Sequence, residues 1–164
     1  MNNNDSKFPE KVEFIIFDFD GVFTDNKVYT AQDGTETVVC DRRDGLGIKM
    51  LKKINIPMFI LSMEQNPVVI ARAKKLDLEV KAGCEDKKSF LKNYFKQRGI
   101  NPANVIYIGN DINDLDAMEM VGFSVCPSDS HVKVKESATY IPASNGGNGA
   151  VRELAELLIQ NQGK

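Results

Sequence analysis

The chain has 164 residues, of which 42% are hydrophobic and 27% are charged, as in a globular protein that can bury its own core. Its 21 basic and 23 acidic residues give a formal net charge of −2, which argues against nucleic acid or an anionic membrane as a partner. Three cysteines without a CxxC pair predict reduced thiols in the cytoplasm and exclude a disulfide scaffold and a zinc site.

The first eleven residues, MNNNDSKFPEK, are polar and contain no apolar stretch. We therefore expect a flexible lead-in over 1–11 and no secretory signal. No apolar run approaches the roughly 18 residues that a membrane-spanning helix needs. The whole of 1–164 is expected to form a single domain.

Apolar strand-like runs alternate with helical patterns, an order typical of an α/β fold with a parallel sheet. Sheet strands are predicted at about 13–18, 57–62, 78–83, 104–110, 123–127 and 139–142. Helices are predicted at about 44–54, 67–76, 86–97, 113–121 and 149–160, with Asp44 and Asn66 as the first two N-caps. Two further strands meet at Asp33-Gly34 and predict a hairpin over 28–39 outside the sheet.

Polar side chains follow the predicted strands at their carboxyl ends, where open parallel sheets bind ligands. Seven residues make up this edge: Asp18, Asp20, Ser62, Lys87, Asn110, Asp111 and Asp114. Carboxylates can hold a hard cation such as Mg²⁺, and a lysine beside a hydroxyl can hold an anion. A cation site and an anion site next to a free carboxylate are typical of phosphoryl transfer.

At these residues the chain resembles the haloacid dehalogenase superfamily. DFDGVFTD (18–25) is similar to its first motif, DxDGxxTD, and Ser62, Lys87 and GNDIND (109–114) follow in the order of the other three. The resemblance covers about 13–160 and implies a Rossmannoid three-layer fold with a hairpin flap and no large cap domain. Within the superfamily it points to the capless phosphatases of 3-deoxy-ulosonic acid 8- or 9-phosphates. It is closest to the phosphatase-like domain associated with N-acylneuraminate cytidylyltransferases, through RRDGLGIKML, ILSMEQNPVV, YIGNDINDL and GGNGAVRE.

The resemblance also implies roles for the residues of the motifs. Asp18 would be the nucleophile and Asp20 the general acid and then the base, while Ser62 and Lys87 would bind the phosphoryl group. Magnesium would be the cofactor, with ligands from Asp18, Asp20, Asn110, Asp111 and Asp114. The fourth motif usually reads GDDxxD, so Asn110 replaces an aspartate that binds the metal. An amide carries no full charge, which predicts weaker magnesium binding.

Four residues stand at positions that the resemblance assigns to the substrate: Thr24, Glu64, Arg72 and Lys75. Arg72 and Lys75 are three residues apart and share a helix face. Capless relatives close the site with the hairpin of a neighbouring subunit. The resemblance therefore implies a homotetramer in which 28–39 covers a neighbouring site, and a phosphorylated sugar acid as the substrate.

Three functions remain open at this point. The first is a magnesium-dependent phosphatase of octulosonate 8-phosphate or N-acylneuraminate 9-phosphate, which would serve lipopolysaccharide or sialic acid precursor synthesis. The second is a weakly active or non-catalytic assembly domain that works with a separate CMP-N-acylneuraminate cytidylyltransferase. The third is a phosphoacceptor domain of receiver type. It is disfavoured because its phosphorylated aspartate would follow the third strand, where the sequence reads KAGCEDK.

Overall fold

The structure is a computed structural model, and it describes residues 8–162. The strands are β1 (Phe14–Phe17), β2 (Thr24–Thr30), β3 (Glu36–Cys40), β4 (Met58–Leu61), β5 (Glu79–Lys81), β6 (Val105–Ile108) and β7 (Phe123–Val125). The helices are α1 (Arg42–Lys53), α2 (Pro67–Leu76), α3 (Lys87–Arg98), α4 (Leu115–Met118), α5 (Val132–Ser137) and α6 (Ala150–Gln162). None of the helices in this range has the length and apolar character needed to cross a membrane.

Five strands form a parallel sheet in the order β5-β4-β1-β6-β7. Phe17, the last residue of β1, is in register with Ile60 on one side and Ile108 on the other. The carboxyl ends of three central strands therefore reach the same edge of the sheet. Because β1, β4 and β6 are buried along their whole length, they are continuous apolar runs, as expected for strands covered on both faces.

Helices cover both faces of the sheet and create two cores. Ile15 and Phe17 of β1 pack in one core with residues of α1, α2 and α6. Ile16, which points to the opposite face, packs in the other core with Leu91 and Phe95 of α3. This is the predicted three-layer α/β fold, which is confirmed.

The predicted hairpin is present and is longer than expected. β2 and β3 pair only with each other, and the pairing runs from Thr24 opposite Cys40 to Thr30 opposite Glu36. β2 thus begins four residues after Asp20, at the edge where the sheet strands end. Apart from this hairpin, residues 8–162 contain no inserted element that resembles a cap domain.

Some of the local predictions need correction. α1 begins at Arg42 and its N-cap is Asp41, whose side chain accepts a hydrogen bond from the Arg43 N–H at 2.7 Å. The prediction of Asp44 as the N-cap is therefore wrong. The predicted strand over 139–142 is reduced to one bridge between Tyr140 and Val125, next to a proline that has no N–H to continue a ladder. The predicted lead-in over 1–11 lies mostly outside the described residues. Within them, the Phe8 ring packs 4.8 Å from that of Phe123.

The glycine-rich segment before α6 contacts the turn that follows Asp20. The Gly147 N–H donates to the Val22 carbonyl at 2.9 Å. A Cβ atom added to Gly146 would lie 1.9 Å from the Gly21 carbonyl oxygen, so only glycine permits this approach. The NGGNGA segment therefore holds the loop between β1 and β2 in place.

Asp44 is buried between α1 and the start of α6. One of its carboxylate oxygens accepts a hydrogen bond from the Arg152 N–H at 3.1 Å, and the other has no hydrogen-bond partner among the described residues. Burial raises the pKa of Asp44 to about 6, although main-chain hydrogen bonds from the start of α6 oppose the shift.

We expect Asp44→Asn to remove a pH dependence from the stability. Because the unfolded chain loses this proton near the ordinary pKa of 3.8 and the folded chain near 6, the free energy of unfolding falls as the pH rises between these values. The fall is up to about 3 kcal/mol and levels off at higher pH. Urea unfolding should therefore give the variant a higher free energy of unfolding than the wild type at about pH 7.5, but not at about pH 4.

Asp77→Asn is a control with the opposite sign. Asp77 is exposed and its hydrogen bond from Lys52 lowers its pKa, so this variant should be the less stable protein at the higher pH. If Asp44→Asn and the wild type keep a constant difference at both pH values, the effect assigned to Asp44 is wrong.

Candidate active site

A cavity of about 180 Å³ opens at the carboxyl ends of β1, β4 and β6. Six of the residues predicted from the sequence line it: Asp18, Asp20, Ser62, Glu64, Asn110 and Asp111. Asn26, Met63 and Asn113 complete the wall. The register of the parallel sheet thus brings together the side chains that follow three different strands.

Lys87 lies behind this cavity, between two buried carboxylates. Its ammonium group donates to Asp18 at 2.8 Å and to Asp114 at 2.6 Å. It is the first residue of α3, whose N-cap Asp86 accepts a hydrogen bond from the Ser89 N–H at 2.9 Å. The start of α3 therefore aims this lysine at the end of β1.

The charges of these three groups depend on one another. Burial raises the pKa of Asp18, the charge of Asp114 adds to the shift, and the ion pair with Lys87 opposes it. Burial alone would lower the pKa of Lys87, but the two carboxylates outweigh it and raise that pKa. Lys87 is therefore a permanent cation next to Asp18.

Asp114 uses both of its carboxylate oxygens to organise the site. One accepts from Lys87 and from the Tyr107 hydroxyl at 2.7 Å, and the other accepts from the Asn110 N–H at 2.9 Å. Asp114 is fully buried and, unlike Asn110 and Asp111, does not line the cavity. Sequence reasoning missed Tyr107. The sequence did contain a signal for it, because a tyrosine in a buried strand needs a hydrogen-bond partner for its hydroxyl group.

Thr24 lies beneath Asp20. The Thr24 hydroxyl donates to the Asp20 carboxylate at 3.4 Å and accepts from the Gly21 N–H at 3.1 Å, and the residue is fully buried. Burial raises the pKa of Asp20, and the charge of Glu64 adds to the shift. A carboxyl group that retains its proton more easily is suited to general acid catalysis.

Ser62 and Glu64 are held by the loop that follows β4. The Ser62 hydroxyl accepts from the Glu64 N–H at 3.1 Å. One oxygen of Glu64 accepts from the N–H groups of Gln65 and Asn66 at 2.7 and 2.8 Å. Both side chains are thus fixed at the wall of the cavity.

Arg72 and Lys75 lie elsewhere. They line a separate cavity of about 380 Å³ between α1 and α2, together with Arg42 and Lys49. Arg72 donates to the Asp41 carbonyl at 3.0 Å, and its buried Nε has no hydrogen-bond partner in residues 8–162. The fold of one chain therefore does not bring these two cations to the cavity that contains Asp18.

The donor atoms around Asp18 fit a magnesium ion. Within residues 8–162 no three His, Cys, Asp or Glu side chains form a metal cluster, and the set at this site is instead mixed. Asp18 and Asp111 offer carboxylates, and Asn110 offers an amide oxygen. The nearly buried Asn110 side chain packs on Gly21, where an added Cβ would lie 1.9 Å from its nitrogen. An all-oxygen set of this kind suits Mg²⁺.

Comparison with known proteins supports the same chemistry. Residues 48–154 match the family model of the haloacid dehalogenase-like hydrolases. Over 94% of its length, the chain is 34% identical to the 3-deoxy-D-manno-octulosonate 8-phosphate phosphatase of Haemophilus influenzae and covers 87% of it.

Solved structures are similar over nearly the whole chain. A protein of Streptomyces avermitilis ascribed to the HAD hydrolase family is 42% identical, with a TM-score of 0.89, over 92% of this chain and 88% of that one. The octulosonate 8-phosphate phosphatase of Moraxella catarrhalis, in complex with magnesium, phosphate and KDO, is 33% identical. Its TM-score is 0.88, over 93% of this chain and 88% of that one.

We expect Asp114→Asn to lower the free energy of unfolding, measured with a metal chelator present, by about 3 kcal/mol or more. The change removes one of the two charges that balance the buried Lys87, and it turns an amide group toward the Asn110 N–H. Asp111→Asn is the matched control, because asparagine can also cap the Ile112 N–H, and it should stay within about 1 kcal/mol of the wild type. Equal losses in the two variants would contradict the central role given to Asp114.

Proposed function

The chain belongs to the haloacid dehalogenase-like hydrolase family, and we propose that it is a magnesium-dependent phosphatase of a 3-deoxy-ulosonic acid phosphate. One observation carries the proposal: a permanent cation, Lys87, contacts the carboxylate of Asp18 at the wall of a polar cavity shared with Asp20. The names of the relatives favour octulosonate 8-phosphate over N-acylneuraminate 9-phosphate as the substrate.

In the first step, the Asp18 oxygen that Lys87 leaves unbonded attacks phosphorus, and the bond to the leaving oxygen breaks. Asp20 gives its proton to that oxygen, so the product departs as an alcohol and Asp18 carries the phosphoryl group. Ser62 donates a hydrogen bond to a phosphoryl oxygen, and Lys87 balances the negative charge that gathers beside Asp18.

In the second step, Asp20, now a carboxylate, takes a proton from water as the water oxygen attacks phosphorus. The bond between phosphorus and Asp18 breaks, and inorganic phosphate leaves. Thr24, which we place as a support for Asp20 rather than as a substrate contact, keeps the carboxyl group at the boundary of the cavity in both steps.

Magnesium would be held by the Asp18 carboxylate, the Asp20 main-chain carbonyl and the Asn110 side chain, with Asp111 beside them. Bound there, the ion would reduce the repulsion between the phosphate and the Asp18 carboxylate. We assign Asp114 to Lys87 and the loop behind the site, because its two oxygens already accept hydrogen bonds.

Arg72 and Lys75 fit this proposal through a second copy of the chain. Because they line a different cavity from Asp18, we assign them to a substrate whose phosphoryl group is bound at a neighbouring subunit. The hairpin exposes Val28, Tyr29 and Val39, an apolar surface suited to such an association. These features support an association between copies of the chain, as in the homotetramer that the resemblance implies.

We expect the wild type to release inorganic phosphate from octulosonate 8-phosphate in the presence of Mg²⁺, and Asp18→Asn to lower kcat by at least about 10³-fold. A phosphate-release assay on octulosonate 8-phosphate and N-acylneuraminate 9-phosphate, with and without chelator, checks this. If the folded wild type hydrolyses neither compound, the assembly domain that works with a cytidylyltransferase becomes the better hypothesis. Asn110 is the observation that favours that alternative.

We expect Asn110→Asp to bind Mg²⁺ about 10-fold more tightly, because a full negative charge replaces an amide dipole at the ion. Calorimetric titration of Mg²⁺ into the protein measures the affinity directly. Asn113→Asp adds the same charge to the same cavity wall and is the matched control, for which we expect a gain of less than about 3-fold. Similar gains in both variants would show that Asn110 acts through net charge and is not a ligand.

A further inference from the structure

A second cavity, of about 230 Å³, adjoins the one that contains Asp18. Asp20, Asn26 and Glu64 line both cavities, so the two meet at the proposed general acid. The second cavity lies between the two strands of the hairpin and the start of α2, and its far wall contains Glu36 and Asn66. These last two residues have no role in the chemistry described above.

Glu36 is held in place at this wall. One of its carboxylate oxygens accepts a hydrogen bond from the Asn66 side-chain nitrogen at 2.9 Å. Asn66 is itself fixed, because its side-chain oxygen caps α2 by accepting from the Val68 N–H at 3.0 Å. The second oxygen of Glu36 receives no hydrogen bond from the part of the chain that the structure describes. A fixed carboxylate with an open oxygen therefore faces the cavity.

The position of Asp20 decides what this cavity can hold. A general acid must contact the leaving oxygen of the substrate, and the phosphoryl group must lie against Asp18. The organic part of the substrate therefore extends from Asp20 to the side away from Asp18, which is the side of Glu36 and Glu64.

Charge selects the chemistry of that organic part, because the carboxylates of Glu36 and Glu64 outnumber the one ammonium group that lines this cavity, that of Lys27. Hydroxyl groups can donate hydrogen bonds to Glu36 and Glu64, whereas a second carboxylate would be repelled. Val38 and Val68 line the same cavity and can pack against the C–H bonds of a carbon chain. The cavity is thus suited to a polyhydroxylated segment and unsuited to an acid close to the phosphoester.

We propose that Glu36 is a specificity-determining residue, which binds hydroxyl groups on the carbons next to the phosphoester and keeps acidic groups away from that position. The proposal rests on the proposed function and adds an orientation to it. A sugar acid would enter with its hydroxylated carbons at Glu36, and its own carboxylate would lie at the far end, outside this cavity.

The test compares Glu36→Gln with the wild type on three phosphate monoesters in the presence of Mg²⁺. Glutamine keeps an oxygen for Asn66 but loses the charge. We expect kcat/KM for octulosonate 8-phosphate to fall about 10-fold relative to that for p-nitrophenyl phosphate, mainly through KM, because a hydrogen bond to a charged group is lost. The carboxylate of 3-phosphoglycerate is near its phosphoester, so we expect kcat/KM for this compound to rise by at least about 3-fold relative to that for p-nitrophenyl phosphate.

Glu136→Gln is the matched control, because it makes the same change at an exposed residue of α5 that lies outside the hairpin and lines neither cavity. It should keep all three kcat/KM values of the wild type. If Glu36→Gln also keeps the wild-type ratios, the role of Glu36 is wrong while the phosphatase itself stands. If the wild type does not hydrolyse octulosonate 8-phosphate, the proposed function fails and this inference fails with it.

Discussion

The arrangement of the site depends on one buried cation. Lys87 contacts Asp18 at the end of β1 and Asp114 beyond the end of β6, and all three side chains are almost completely buried. Without the ammonium group, two carboxylates would share an interior with no compensating charge, which proteins avoid by protonating one of them. The lysine can reach both only because the parallel register places the two strand ends side by side.

The contact between Lys87 and Asp114 also fixes the position of other residues in the site. Asp114 is fixed by Lys87 and by Tyr107, and its other oxygen holds the main chain of the loop that carries Asn110 and Asp111. Gly109 allows this close packing, since a Cβ there would lie 2.6 Å from the Asp114 carboxyl carbon. The geometry of Asn110 and Asp111 therefore follows from the ion pair between Lys87 and Asp114, two residues that we do not propose as metal ligands.

The sequence predicts which side chains meet at the sheet edge, because strand order and strand ends are encoded locally. Asp18, Ser62 and Asn110 each follow an apolar run, and parallel strands bring such positions together. The orientation of each side chain could not be predicted in the same way. Whether Asp114 points into the cavity or behind it depends on Tyr107 and Lys87, which lie 7 and 27 residues away in the chain.

The same limit applies at two other places in the chain. Asp44 follows a pattern typical of an N-cap, yet the start of α6, more than 100 residues later, makes it a buried contact between helices. Arg72 and Lys75 share a helix face as predicted, but the direction of that face is set by the packing of α2 against α1. Periodicity along one helix shows which residues point together, and only the tertiary packing determines what they point at.

Asp20 lies between two parts of the site that differ in charge. On the side of Asp18, a buried lysine and a set of oxygen ligands suited to a divalent cation favour the phosphoryl group. On the other side, the carboxylates of Glu36 and Glu64 outnumber the ammonium group of Lys27, and this net negative charge favours neutral donors. A substrate with its phosphate and its carboxylate at opposite ends of a hydroxylated chain satisfies both sides at once. An acid on the carbons next to the phosphoester would instead meet Glu36 and Glu64, so the charge pattern favours the orientation that we propose.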